Sequence, residues 1–106
     1  ALAGIFDLTL YETFLTDLAG HGRRGVSAGE AVSRLDGLLA GILGAKTANT
    51  TVLLTSDHGN LEDATTGGHT ANAVPLLAVG PAARRFADLD SILGVTPRIL
   101  EVLVGA

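Results

Sequence analysis

The three histidines of this chain, His21, His58 and His69, are its only imidazoles, and two of them have an aspartate close by in sequence. Asp17 precedes His21 by four residues, so both side chains can converge on one ion from a turn or a first helical turn. Asp57 and His58 are adjacent. His69 follows Thr65-Thr66-Gly67-Gly68, whose glycines let the backbone curl toward a shared centre. Imidazole nitrogen and carboxylate oxygen are the donor pair of zinc or manganese, and the absence of cysteine excludes thiolate ligands. Taken singly, the same residues have a plainer reading: loop histidines, and an aspartate that closes an Asx turn or caps a helix. Spacing alone leaves both readings open.

The elements that must position these side chains follow from apolar periodicity. Residues 5–15 read as a strand, with Phe6, Leu8 and Leu10 alternating with Asp7 and Thr9, and with β-favouring Tyr11, Thr13 and Phe14 beyond. Asp17, Gly20 and Gly22 end it in a loop. Ser27 and Glu30 form a capping box that opens an amphipathic helix, with Val32, Leu35, Leu38, Leu39 and Ile42 on one face. Gly44 is its expected stop, and Lys46, the only lysine, suits the helix end. Residues 50–55 form a short strand whose apolar run, Val52, Leu53 and Leu54, predicts burial on both faces. A polar loop over residues 57–70 follows, and Pro75 opens another apolar strand to Val79. Thr96 caps and Pro97 begins a final helix through about Val104.

This order predicts an α/β fold, a mostly parallel sheet flanked by helices, its first two strands joined by a right-handed crossover. In open sheets of that kind ligands bind beyond the carboxyl ends of the strands, where Asp17 and Asp57 both fall. The chain of 106 residues is 47% apolar and 17% charged, which excludes a disordered tail and predicts one domain over residues 1–106. A net charge of −4 argues against nucleic acid as a partner. No apolar run approaches the ~20 residues of a membrane helix and no export signal opens the chain, so a membrane partner is not expected and a cytoplasmic location is. Arg84, Arg85, Asp88 and Asp90 read as surface. The chain lacks methionine even at position 1, which predicts a start that has been removed or an interior piece of a longer protein.

The stretch Thr55-Ser56-Asp57-His58-Gly59-Asn60-Leu61-Glu62, with Gly68-His69-Thr70 and Val74-Pro75 after it, resembles the last metal-binding segment of the alkaline phosphatase superfamily. The likeness is to the branch that contains cofactor-independent phosphoglycerate mutase and phosphopentomutase. Upstream, Thr16-Asp17-Leu18-Ala19-Gly20-His21 is similar to that branch's Asp-x-x-Gly-His-type segment, here with three residues between the ligands. The resemblance runs from about Tyr11 to Leu103 and implies the C-terminal portion of an alkaline-phosphatase-like domain with two divalent metal ions, zinc or manganese. Asp17, His21 and His69 would hold one ion; Asp57 and His58 would contribute to the other. The second ion would also take an aspartate and the Ser or Thr nucleophile from an N-terminal half, so no catalytic nucleophile is expected in this chain.

The activity implied is metal-dependent phosphoryl transfer on a phosphorylated small molecule, by an isomerase (phosphomutase) or a hydrolase (phosphatase or phosphodiesterase). This stretch alone is expected to be inactive. Two other readings compete: a non-catalytic metal-binding or assembly module, and a plain structural domain. Asn60, Glu62 and Thr70 are candidates for orienting the metal ligands, and Arg23 and Arg24 for contacting a phosphate by bidentate geometry. An uncovered sheet edge would favour a homo-oligomer as well as docking of the missing half.

Overall fold

Ser27 has extended backbone and its hydroxyl accepts a hydrogen bond from the Glu30 amide at 3.1 Å, so the predicted cap does start a helix. That helix, α2, spans Ala28–Ala45, following α1 over Leu15–Gly20. The carboxylate of Glu30 pairs forward with Arg34 at 2.5 Å, one turn on. Ser27→Ala should lower stability by about 1 kcal/mol, read as a fall in the thermal midpoint. The computed structural model describes residues 2–22 and 25–105, so Arg23 and Arg24 lie outside the described residues.

The inward line of α2 is Ala31, Leu35, Leu39 and Leu43, with Ala31 fully buried. Val32, expected on that face, is half exposed, so the buried stripe is rotated by about one residue. Gly44 lies inside the helix, and the backbone turns extended at Lys46, whose N–H closes the last turn on Ile42. A single glycine near a C-terminus need not stop a helix whose remaining donors are still satisfied.

The chain forms two compact units. One comprises Tyr11–Lys46 and Ser56–Pro75 and holds α1, α2 and the polar loop. The other comprises Ala1–Leu10, Thr47–Thr55 and Leu76–Ala106. It contains β1 (Val52–Thr55), β2 (Leu76–Val79) and α3 (Val95–Leu103). β1 and β2 pair antiparallel, Val52 opposite Val79 and Thr55 opposite Leu76. The fold is thus α/β, but the sheet described has two strands and is antiparallel, where a mostly parallel sheet was expected.

The difference arises in residues 5–15. They are not a strand: among the described residues they make no ladder, and from Leu15 the chain is already helical. The alternating Phe6, Leu8 and Leu10 are all exposed, Leu10 at 87%. Period-two patterning marks a segment fit for a sheet, but a strand exists only where a neighbour satisfies its backbone groups.

α3 begins at Val95, one residue before the predicted cap, because a 3-10 turn over Ile92–Gly94 leads into it. Ser91 caps that turn by accepting from the Leu93 amide at 3.2 Å. Pro97 then sits in the first helical turn, where its missing donor costs nothing. Arg98 secures this end through Asp88 at 2.7 Å and Glu101 at 3.1 Å. The Arg98 guanidinium, first among its partners, holds the Asp88 carboxyl below its ordinary pKa.

Candidate metal centre

All five predicted ligands fall in the unit built from Tyr11–Lys46 and Ser56–Pro75. Asp17 occupies the first turn of α1 and His21 caps its C-terminus, so one helical turn sets their spacing. His21 Nε2 lies 3.3 Å from Asp17 Oδ1. Asp57 and His58 come from the turn after Thr55, and His69 from the loop that follows. His69 Nε2 is 3.1 Å from Asp17 Oδ1 and 3.2 Å from His21 Nε2. His58 Nε2 is 3.7 Å from Asp17 Oδ1 and 3.5 Å from Asp57 Oδ1. Asp17 is therefore the hub, with three imidazole nitrogens around one carboxylate oxygen, while Asp57 reaches His58 alone among them.

Ring orientation distinguishes the histidines. His21 and His69 are tilted, with centroids 5.1 Å apart. His58 stacks on His69, centroids 3.5 Å apart and planes within 19°. Donors bonded to a tetrahedral zinc at about 2.0–2.1 Å lie about 3.3 Å from one another, and imidazoles splayed around it have centroids about 5 Å apart. Asp17, His21 and His69 match both spacings. Parallel stacked rings aim their in-plane lone pairs side by side, which suits two ion positions rather than one. Asp17, His58 and His69 also have donor atoms within 4.8 Å of one another, but the stacking makes them a poorer common set.

The protonation pattern follows from hydrogen bonds. His21 Nδ1 lies 2.8 Å from the Gly67 carbonyl, and His58 Nδ1 lies 3.2 Å from the Gly59 carbonyl. A carbonyl can only accept, so each Nδ1 carries a proton, and a ring that holds that proton alone leaves Nε2 as a lone pair. Backbone carbonyls holding Nδ1–H are the usual support of metal-ligating histidines. Such lone pairs would face Asp17 Oδ1 at 3.3 Å from His21 and 3.7 Å from His58, which is unfavourable unless a proton or a cation lies between them. The donor set fits a divalent cation.

Supporting contacts tie together the three segments that carry the candidate ligands. Asn60 Nδ2 donates to Asp17 Oδ1 at 2.9 Å and to the Asp17 carbonyl at 3.2 Å. Glu62 accepts from the Asn60 amide at 2.7 Å, from Asn72 Nδ2 at 3.1 Å and from the Thr70 hydroxyl. The Thr70 amide donates to the Gly59 carbonyl at 2.8 Å, an isolated bridge between the loops that carry His58 and His69. A Cβ on Gly59 would collide with the Thr70 hydroxyl and with the Glu62 carboxylate, so a side chain there would push this clasp apart. Sequence reasoning picked out Asn60, Glu62 and Thr70 but not Asn72 or the Gly67 carbonyl, since contacts across 10 and 46 residues leave no local signal.

Burial pushes the Asp17 carboxyl up, but the Asn60 amide and the neighbouring His21 and His69 outweigh it, leaving its pKa below the ordinary value. The Thr70 hydroxyl, then the backbone amides and Asn72, lower Glu62 to about 2. A carboxyl lowered on folding stabilises the fold fully above its ordinary value near 4.5 and progressively less as pH falls toward about 2. The Glu62 clasp should therefore open between those limits. Carboxyl NMR should place the Glu62 midpoint well under 4.5, and a midpoint at the ordinary value would show that the clasp does not form in solution.

Comparison with known proteins agrees with this chemistry. The family model described as Metalloenzyme superfamily matches residues 1–104. A 2,3-bisphosphoglycerate-independent phosphoglycerate mutase of Thiobacillus denitrificans is 32% identical over 106 residues, covering 92% of this chain and 21% of that protein. The enzyme of the same name from Cereibacter sphaeroides is 32% identical, covering 97% of this chain and 22% of its own length. That from Yersinia pestis is 30% identical, covering 95% and 21%. The chain thus spans about a fifth of the length of these curated relatives. No solved structure matches it. No helix is long and apolar enough to cross a membrane among the described residues. With its residues matched almost end to end, the chain belongs to the Metalloenzyme superfamily.

Proposed function

We propose that this chain supplies most of the ligands of a two-metal phosphoryl-transfer centre, as the C-terminal portion of a larger catalytic domain. The observation that carries this is the triangle of Asp17 Oδ1, His21 Nε2 and His69 Nε2, with edges of 3.1–3.3 Å, and His58 stacked beside it at 3.5 Å. Asp17, His21 and His69 hold one ion; Asp57 and His58 contribute to the second. Imidazole and carboxylate donors suit zinc or manganese.

Divalent ions held there supply positive charge for a transferring phosphoryl group and lower the pKa of a hydroxyl nucleophile. The chain's own work is positional. The Gly67 and Gly59 carbonyls keep the Nε2 lone pairs of His21 and His58 available. Asp17 and Asp57 offset part of the ionic charge and leave a net positive centre that draws a phosphate into an acidic protein. The Ser or Thr nucleophile and one more aspartate come from an N-terminal half, which also covers the exposed apolar residues 5–14 and takes that strand-patterned segment into a larger, mostly parallel sheet. The substrate is a phosphorylated small molecule, and the relatives' names favour a phosphomutase over a hydrolase. The protein works in the cytoplasm, and the stretch alone self-associates through its uncovered edge.

Metal analysis and thermal shift test the reading. Free Zn²⁺ at 100 times its Kd stabilises by about 2.7 kcal/mol, a rise in Tm of about 10–20 °C for a domain of this size. Less than about one ion per chain, with neither Zn²⁺ nor Mn²⁺ raising Tm, would overturn it. A metal-loaded full-length protein that transfers no phosphoryl group would leave a non-catalytic metal module.

A further inference from the structure

Asn60 is 5% exposed, the one buried polar side chain among the described residues. Its Nδ2 donates twice to Asp17, and its Oδ1 is buried with no partner among the described residues. Exchanging the two ends would set Oδ1 against both Asp17 oxygens, so the acceptors fix this orientation. The side chain is thus oriented by the two Asp17 acceptors and not by a partner for Oδ1. The carboxamide lies over Gly20, where any Cβ would collide with it. Gly20 sits in the last turn of α1, between Asp17 and His21.

We infer that Asn60 is a positioning residue for the metal centre. By gripping both the backbone and the carboxylate of Asp17, it holds Oδ1 toward His21 and His69, and Gly20 is the floor that admits it. Asp17 Oδ1 thus has a fixed direction before any ion arrives, and an ion does not have to order the carboxylate on binding. The inference rests on the metal reading above.

Asn60→Leu keeps the volume, removes the donor and removes the unpartnered oxygen. It should weaken Zn²⁺ binding about 10–100-fold, the usual effect of losing a residue that orients a ligand, while the Tm of the metal-free protein stays level or rises. A purely structural Asn60 would move both together. Gly20→Ala keeps Asn60 but displaces it, and should reproduce the loss of Zn²⁺ affinity. The unsubstituted protein gives a check that needs no variant: on Zn²⁺ addition the Asn60 side-chain amide protons should shift in NMR. Unaltered Zn²⁺ affinity in either variant, or an unmoved Asn60 amide, would overturn the inference. Failure of the unsubstituted protein to bind Zn²⁺ at all would instead overturn the metal reading.

Discussion

Asp17→Ala should remove Zn²⁺ binding at the Asp17–His21–His69 position, with the dissociation constant raised roughly 100–1000-fold. Structural zinc sites of four ligands are worth about 10–16 kcal/mol, so one ligand carries about 2.5–4 kcal/mol. Asp17 should lie at the upper end, because its Oδ1 is the atom that His21, His58 and His69 all approach. The metal-free protein is affected too. Removing the carboxylate leaves Asn60 Nδ2 buried with only the Asp17 carbonyl, at 3.2 Å, to accept from it. Losing that second acceptor costs about 1 kcal/mol. Affinity should therefore fall far more than stability. Titration calorimetry of the variant beside the parent decides this; a Kd within a few-fold of the parent's would remove Asp17 from the ligand set.

Gly80→Ala should be the most damaging substitution in the β1–β2 unit. Gly80 follows β2 directly and has φ +131°, a conformation open to glycine and strained for any other residue. An added Cβ would also lie 2.5 Å from the Thr50 carbonyl oxygen and 2.7 Å from the Thr51 Cα. Both are backbone atoms, so no rotamer change can relieve the contact. Backbone strain of about 1–3 kcal/mol and overpacking of about 1–3 kcal/mol act together, and the expected loss is about 2–5 kcal/mol. The Thr51 hydroxyl accepts from the Ala82 amide at 3.0 Å, and that bond should break as the turn is pushed away. Gly37→Ala is the matching control. Gly37 lies within α2 with nothing near its absent Cβ among the described residues, and the change should stabilise by about 0.5–1 kcal/mol. Urea midpoints should move in opposite directions for the two variants, and a neutral Gly80→Ala would contradict the turn described.

How legible the molecule was in its sequence depends on the range of each signal. Ser27 and Glu30 announced the start of α2 because a capping bond spans three residues and needs no partner from elsewhere. Val52 to Thr55 and Leu76 to Val79 were both legible as strands, since short apolar runs bounded by loops have few other uses. Their antiparallel pairing was not, because direction depends on which strands meet. Residues 5–15 were misread for the same reason: alternation reports fitness for a sheet, and only a neighbour's hydrogen bonds turn fitness into a strand. Rotation of the buried face of α2 from Val32 toward Ala31 and Leu43 was likewise decided by what packs against it.

The candidate centre divides along the same line. Residue chemistry alone determined the donor types, imidazole and carboxylate without thiolate, and the four-residue spacing of Asp17 and His21 became one helical turn. Only the tertiary structure decided that Asp17 is the hub, that His58 stacks on His69 while His21 tilts away, and that Asn60 grips Asp17 across 43 residues. The physical reason is that ligand type is a property of single side chains. Direction, tautomer and ring angle are set by carbonyls and amides that arrive from distant parts of the chain, such as Gly67 beside His21 and Glu62 beneath Thr70.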